Sequence, residues 1–385
     1  MGIYSEYLEK QFGFLDLVAE RKKQLNRISQ IRGRAILVFA ADFDKANAPI
    51  SINFSDLLPI NDQLSQLTGS AVDIILQTPG GSGEAAEDIV KAVRNKFDDV
   101  AFIIPGWAKS AGTIIAMSGD EILMDESSAL GPIDAQLFWQ GKVFSADALL
   151  EGFEKIKSEV EKTGILNKAY VPILQAISPG ELQNAENAQK FAEELVTKWL
   201  AKYKFKNWTT HSTTGKPVTD EDRKKRAKEI ARILRNHSKW LSHGRSIKLQ
   251  DFNEMKLKIT DFSKTPDLND AIQRYYTLLQ MTFGTNIYKV YETPASQIYK
   301  HLAPMVPPPS KIFDQARTVE LEVQCTNCKQ VSKLQANLEK GVSLKEGFLP
   351  FPKDNKFKCP KCSAEIDLSD ARRQIEAQSK KEVVE

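Results

Sequence analysis

Two glycine-bearing strand-to-helix junctions constrain this chain more than any other feature. Val72-Asp73-Ile74-Ile75-Leu76 is apolar enough for a buried strand and ends in Thr78-Pro79-Gly80-Gly81-Ser82-Gly83. Residues 84–97 then place Ala86, Ile89, Val90, Val93 and Phe97 on one helical face. The pattern repeats at once: 100–104 reads as a strand, Pro105-Gly106 breaks it, and 111–117 reads as a buried helix. Ala35-Ile36-Leu37-Val38-Phe39-Ala40 supplies an earlier strand and 121–124 a later one. Alternation of this kind predicts an α/β layer on a mainly parallel sheet. Outside it, helices are expected over 5–30, 146–162, 220–235 and most of 168–203, the last interrupted at Ser178-Pro179-Gly180.

Each junction also carries chemistry. Three glycines in the first permit positive φ and let backbone N–H groups face a ligand, which at a helix start makes an anion or oxyanion site. The second reads Gly106-Trp107-Ala108-Lys109-Ser110-Ala111-Gly112-Thr113, with Ser110 at a helix start. The helix dipole and the unpaired first-turn amides favour an alkoxide there. Taken singly, the first is an ordinary turn and the second an N-cap serine. Consecutive parallel strands set such junctions side by side, so the Gly80-Gly81 amides and Ser110 can converge on one carbonyl.

Together with Gly119-Asp120-Glu121-Ile122 and Leu130-Gly131-Pro132-Ile133-Asp134, these blocks resemble the serine dehydrogenase proteinase family. That family is a branch of the ClpP/crotonase superfamily, similar to the signal peptide peptidase A and NfeD-type proteases. The resemblance is strong over 35–136 and continues weakly to about residue 302, through Trp240-Leu241-Ser242-His243-Gly244. It implies a ClpP/crotonase-like fold and a serine peptidase with Ser110 as nucleophile and Gly80, Gly81 and Ala111 around the oxyanion. It further implies a homo-oligomer that cleaves unfolded or extended protein segments through an acyl-enzyme.

The general base stays open. ClpP carries its histidine where this chain reads Gly131-Pro132-Ile133-Asp134, without one. The signal-peptide-peptidase relatives use a Ser-Lys dyad, which points to Lys157, with Lys155, Lys162 and His243 as alternatives. A lysine base must be buried enough to lose about three pKa units from ~10.4, roughly 4 kcal/mol. His211, His237 and His301 read as surface residues.

All four cysteines fall in two Cys-x-x-Cys pairs, Cys325/Cys328 and Cys359/Cys362. Four thiols so spaced predict a closed tetrahedral structural zinc ribbon, which also supplies much of a small module's folding energy. They equally indicate a reducing compartment. The 53 basic and 50 acidic side chains leave a net charge of +3, with no global pull toward nucleic acid or membrane. The basic run Arg223-Lys224-Lys225-Arg226 is interleaved with acids and reads as a solvated helix face, speaking against a nucleic-acid partner. No run approaches the ~18 apolar residues of a membrane span. Residues 1–34 lack a signal-peptide pattern, and Tyr4-Ser5-Glu6 does not suit myristoylation. A cytoplasmic protein without stable membrane insertion is expected.

The expected organisation is an N-terminal helix (1–30), a serine peptidase domain (31–301), a Pro-rich linker (302–320), the zinc ribbon (321–370) and a charged tail (371–385). The ribbon is expected to recruit a protein partner or assist assembly. Two rivals remain: a non-catalytic scaffold whose ribbon binds protein or nucleic acid, and a crotonase-like acyl-CoA enzyme, which needs glutamates and a CoA site. An α/β-hydrolase wants glycine two residues before its serine, where Ala108 stands.

Overall fold

The computed structural model describes residues 2–139, 141–211, 214–302, 317–379 and 381–384. It divides into two units, residues 1–302 and 303–385. Most of the expected Pro-rich linker, at 303–316, lies outside the described residues.

In the first unit, α1 (Ile3–Glu9) and α2 (Phe14–Arg32) lead into β1 (Ala35–Ala41). Then come α3 (Leu57–Ser65), β2 (Ala71–Gln77), α4 (Gly83–Lys96) and β3 (Asp99–Ile103). The short β4 (Trp107–Ala108) precedes α5 (Ala111–Ala116), β5 (Glu121–Met124) and β6 (Ala129–Leu130). A hairpin of β7 (Gln136–Trp139) and β8 (Lys142–Ser145) opens α6 (Ala146–Thr163). Helices α7 (Val171–Gln175), α8 (Pro179–Trp199), α9 (Asp220–Arg235), α10 (His237–Trp240) and α11 (Leu249–Glu254) follow. The unit ends with β9 (Thr260–Asp261), α12 (Pro266–Phe283), β10 (Ile287–Glu292) and β11 (Gln297–His301).

The central sheet runs β11-β10-β1-β2-β3-β5-β9, parallel from β1 to β9 and antiparallel at β10 and β11. Its strands are apolar on both faces because both are covered. Leu37, Phe39, Ile74, Leu76 and Phe102 pack on one side with α4, α5, α8 and α9 residues. Their neighbours Ile36, Val38, Ile75 and Ile103 pack on the other with α2 and α12 residues. That division is the two-residue period of a strand read twice.

The charged residues inside this layer are paired. Asp73 in β2 is fully buried, and Arg32 at the end of α2 reaches it at 2.6 Å. Glu292 in β10 meets Arg21 of α2 at 3.1 Å with neither side chain exposed, and Tyr275 of α12 donates to the same carboxylate at 3.0 Å. Such charges cost several kcal/mol unpaired, so they fix where α2 and α12 lie on the sheet.

The single helix expected over 5–30 is two helices. Gln11 adopts φ +49°, and the Gly13 amide donates to Asp16 at 2.9 Å, starting α2 afresh. The interruption expected at Ser178-Pro179-Gly180 is the capped start of α8, where the Ser178 amide donates to Glu181 at 2.6 Å.

The second unit holds β12 (Thr318–Gln324), β13 (Val331–Asn337) and β14 (Leu349–Pro350) in one sheet, then the pair β15 (Lys356–Lys358) and β16 (Glu365–Asp367). Helix α13 (Ser369–Ser379) covers the first part of the segment expected as a charged tail. Its Ile375 joins a core of Val323, Leu334, Phe351, Phe357 and Leu368.

Candidate active site and metal centre

The two junctions meet. The Thr78 amide donates to Trp107 O at 3.0 Å and the Lys109 amide to Thr78 O at 2.9 Å, so the glycine turn runs beside β4. Gly80 lies so close to the second junction that a Cβ there would stand 2.6 Å from Ser110 Cβ and 2.8 Å from Lys109 O. Gly80 and Gly81 both have positive φ, +103° and +145°, which no other residue type adopts freely. Gly112 is constrained as well, since a Cβ would fall 2.4 Å from Thr78 Cγ2.

Ser110 itself is held at φ +51°, ψ −117°, outside the regions an L-residue favours. Such a conformation costs on the order of 1–3 kcal/mol and persists only where the surroundings enforce it. Its side chain does not cap α5, and its hydroxyl makes no hydrogen bond among the described residues. The plain N-cap use of this serine is therefore absent. Ser110 is half-buried rather than sealed, and the adjoining Gly81 is exposed.

Three backbone amides belong to this close approach. The Gly80 amide is taken by Thr78 Oγ1 at 3.1 Å, so Gly80 contributes space rather than a free donor. The amides of Gly81 and Ala111 have no partner among the described residues. Gly81 is fixed by pairing on both sides: Ile52 N donates to Gly80 O at 2.7 Å and Ser82 N to Ile52 O at 2.9 Å.

Two further segments close on the same place. Thr113 Oγ1 donates to Ala108 O and accepts from the Gly131 amide, each at 2.9 Å, which ties the stretch leading to Asp134 onto the serine turn. Lys109 Nζ donates to Leu130 O (3.1 Å), Arg245 O (3.1 Å) and Ser246 Oγ (2.9 Å), drawing in the segment that carries His243. Burial, reinforced by the charge of Lys248, holds the Lys109 ammonium down to about 8.

Asp134 is buried and grips two imidazoles. His243 Nδ1 lies 2.7 Å from Oδ1 and His237 Nδ1 lies 2.9 Å from Oδ2, leaving both Nε2 atoms without a protein partner. Burial alone would raise the Asp134 carboxyl, but the hydrogen bond and charge of His243, then the hydrogen bond of His237, outweigh it and hold it below the usual carboxylate range. Each histidine side chain stays about a quarter exposed, at 28% and 26%.

The lysines of α6 are placed differently. Lys157 pairs with Glu154 at 3.2 Å and its side chain is 52% exposed; Lys155 and Lys162 are exposed too. None has the burial that a neutral lysine base demands. Sequence reading gave Asp134, Lys109 and His237 no place in this cluster. Asp134 and Lys109 were present only as letters in recognised blocks, and His237 and His243 come into range through contacts spanning more than a hundred residues.

In the second unit the four cysteine sulfurs lie within 4.8 Å of one another, with Cys325–Cys362 and Cys328–Cys359 both at 3.6 Å. The two pairs are built alike. The residue after each second cysteine, Lys329 or Ser363, has positive φ (+59° and +58°) and donates its amide to the carbonyl of the first, at 3.0 and 2.9 Å. Backbone amides, that of Cys328 first for Cys325 and that of Cys362 first for Cys359, hold both thiols below their ordinary range. Four thiolates so gathered can hold a metal ion.

Residues 16–216, just over half of the chain, match the family described as ClpP-like SDH-type serine proteinase. The chain belongs to that family. The match stops short of His237 and His243. Two uncharacterized proteins of Methanocaldococcus jannaschii are similar, one 46% identical over 66 residues and the other 37% over 92. These alignments take in 17% and 23% of this chain, and 23% and 30% of the relatives, less than a third of their length. A solved serine-to-alanine mutant of the membrane-bound stomatin-specific protease 1510-N is similar at 19% identity, over 55% of this chain and 88% of that one, with a TM-score of 0.24. A score that low carries nothing about individual residues. No described helix is long and apolar enough to cross a membrane.

Gly80→Ala is expected to lower stability by about 1–3 kcal/mol in urea unfolding, because the methyl has only Ser110 Cβ and backbone to push against. Gly152→Ala, in α6 with open space around it, is expected to raise stability by about 0.5–1 kcal/mol. Equal responses would contradict the close approach.

Proposed function

We propose that this ClpP-like proteinase is a serine endopeptidase acting on extended protein segments through an acyl-enzyme. Ser110 is its nucleophile, His243 its base, Asp134 the group that orients the base, and the Gly81 and Ala111 amides its oxyanion donors. The observation that carries the reading is Ser110: a strained residue packed on Gly80, whose hydroxyl and whose neighbouring Gly81 and Ala111 amides have no partners among the described residues. Strain of this kind concentrates at functional sites.

Ser110 Oγ adds to the scissile carbonyl while its proton passes to His243 Nε2. The carbonyl electron pair moves onto oxygen, which the two amides receive; each such donor is worth about 3–4 kcal/mol at the transition state. Collapse breaks the C–N bond, and the leaving amine takes the proton from His243. Water then attacks the ester, giving its proton to His243, and the released Ser110 oxygen takes that proton back. Asp134 keeps the His243 proton on Nδ1, and so Nε2 ready as a base; His237 on the second oxygen keeps the carboxylate from turning away.

This departs from the Ser-Lys dyad suggested by resemblance. Support for His243 lies in its buried carboxylate partner and in the Lys109 contacts that draw its segment to the serine turn. The ion-paired, half-exposed Lys157 lacks any comparable setting. The reading extends to a homo-oligomer and to structural zinc at Cys325, Cys328, Cys359 and Cys362, in a ribbon serving assembly or a protein partner. Tetrahedral Zn–S bonds of about 2.3 Å separate sulfurs by about 3.8 Å, near the 3.6 Å found for two of the pairs.

Turnover of a fluorogenic unfolded protein tests the assignment. Ser110→Ala should fall to background, and His243→Ala and Asp134→Asn should lower kcat by about 10⁴-fold, with Lys157→Ala within about twofold of wild type. Loss in Lys157→Ala with activity retained in His243→Ala would restore the dyad and overturn this assignment. Elemental analysis should find about one zinc per chain, and none in Cys325→Ser/Cys359→Ser; metal-free wild type would remove the ribbon.

A further inference from the structure

Helices α8 and α9 pack together, and between them runs a groove of about 1090 Å³ lined by nine cationic and three acidic side chains. That density is far from the near-neutral balance of the chain as a whole. Part of the charge is satisfied within the protein. Glu193 holds Arg232 (3.2 Å) and Arg235 (2.9 Å), Asp220 holds Arg223 (3.1 Å), Asp120 holds Lys206 (2.6 Å), and Glu186 holds Lys190 (3.5 Å).

Four exposed lysines are left over. Lys198, Lys224 and Lys228 have no ion pair among the described residues, and Lys202 has only the ring of Tyr203, at 5.1 Å. They come as two pairs four residues apart: Lys224/Lys228 on α9, and Lys198/Lys202 running from the last turn of α8 into the wider π-helical turn Leu200–Lys204 that continues it. Residues four apart on an α-helix, as Lys224 and Lys228 are, advance about 6 Å along its axis. Side chains on one face of an extended strand repeat about every 6.6 Å. The two spacings match closely enough for alternate acids of an extended chain to meet successive lysines.

We propose that this groove binds acidic, extended segments of the substrate polypeptide. The inference rests on the peptidase reading for the word substrate, but the binding itself does not. Two features favour an acidic peptide over a nucleic acid. The groove's arginines, the side chains best shaped for phosphate, are largely committed to Glu193 and Asp220. No aromatic side chain lines the groove to stack a base.

The groove adjoins a second cavity through two shared arginines. Arg232 and Arg235 line a second cavity of about 860 Å³ together with Asp147 and Asn236. Asp147 accepts the amide of His237 at 3.3 Å, and His237 is one of the two imidazoles on Asp134.

Fluorescence anisotropy on the full-length Ser110→Ala protein measures binding apart from turnover. The probes are a labelled peptide of alternating glutamate and glycine, its lysine counterpart, and a single-stranded oligonucleotide of equal charge. The glutamate peptide should bind, the lysine peptide should not, and Lys224→Glu/Lys228→Glu or Lys198→Glu/Lys202→Glu should weaken binding by at least about tenfold, as should high salt. In the active chain the same reversals should raise KM for an acidic substrate and leave kcat on a neutral one unchanged. Glutamate-peptide binding that is absent, or indifferent to both reversals in proteins with unaltered melting, overturns the proposal; so does tighter binding of the oligonucleotide. Should the chain prove inactive while the peptide still binds through these lysines, the peptidase reading fails and the groove stands.

Discussion

A missing side chain at Gly80 is the constraint on which the site depends. Parallel order in β1, β2 and β3 brings the ends of β2 and β3 to the same edge, but adjacency is not contact. The contact needs backbone against Ser110, and any Cβ at position 80 would occupy the space of the serine's own Cβ. With the turn seated there, Thr78 pairs with β4 on one side and Ile52 pairs with the glycines on the other. Ser110 then has no room to relax from its positive φ. Among the described residues the Gly81 amide is unpartnered because the pairing with Ile52 uses Gly80 O and Ser82 N, and the Ala111 amide because it opens the first turn of α5.

Around that contact the chain builds a polar frame from distant parts. Lys109, the residue before the serine, spends its three donors on Leu130, Arg245 and Ser246, so one side chain gathers two segments. Asp134 does the same with its two oxygens and two histidines. Both groups are substantially removed from water and both are satisfied, which is the condition for a polar cluster to specify geometry rather than weaken it. The same economy appears under the sheet, where Glu292 and Asp73 are buried only because α2 delivers Arg21 and Arg32 to them.

The parallel layer was readable from sequence because its strands are short, apolar and punctuated by Pro and Gly, and because each is followed by a helix of matching period. The zinc-ribbon pattern was readable because metal ligation fixes both residue type and spacing. The choice of His243 over Lys157, Lys155 and Lys162 as the proposed base was not. A ladder of hydrogen bonds from Lys109 to Arg245, and a carboxylate shared with His237, are facts of the fold's return path through α9 and α10, and no local pattern encodes them. Lys157 looked equally suitable in sequence to a buried lysine, since periodicity places it on a helix but does not say that the face is open to water and paired with Glu154. The basic run in α9 likewise reads as a solvated face until Lys198 and Lys202 are seen across the groove.

The account comes down to whether a tetrahedral centre on Ser110 is received by the two free amides. The direct measurement is a crystal structure of the wild-type chain treated with a peptide boronic acid. The boron is expected on Ser110 Oγ, with one boronate oxygen about 2.7–3.1 Å from both the Gly81 and Ala111 nitrogens, and His243 Nε2 in hydrogen-bond reach of another. A boronate attached elsewhere, or bound at Ser110 with its oxygens turned away from those amides, would contradict it.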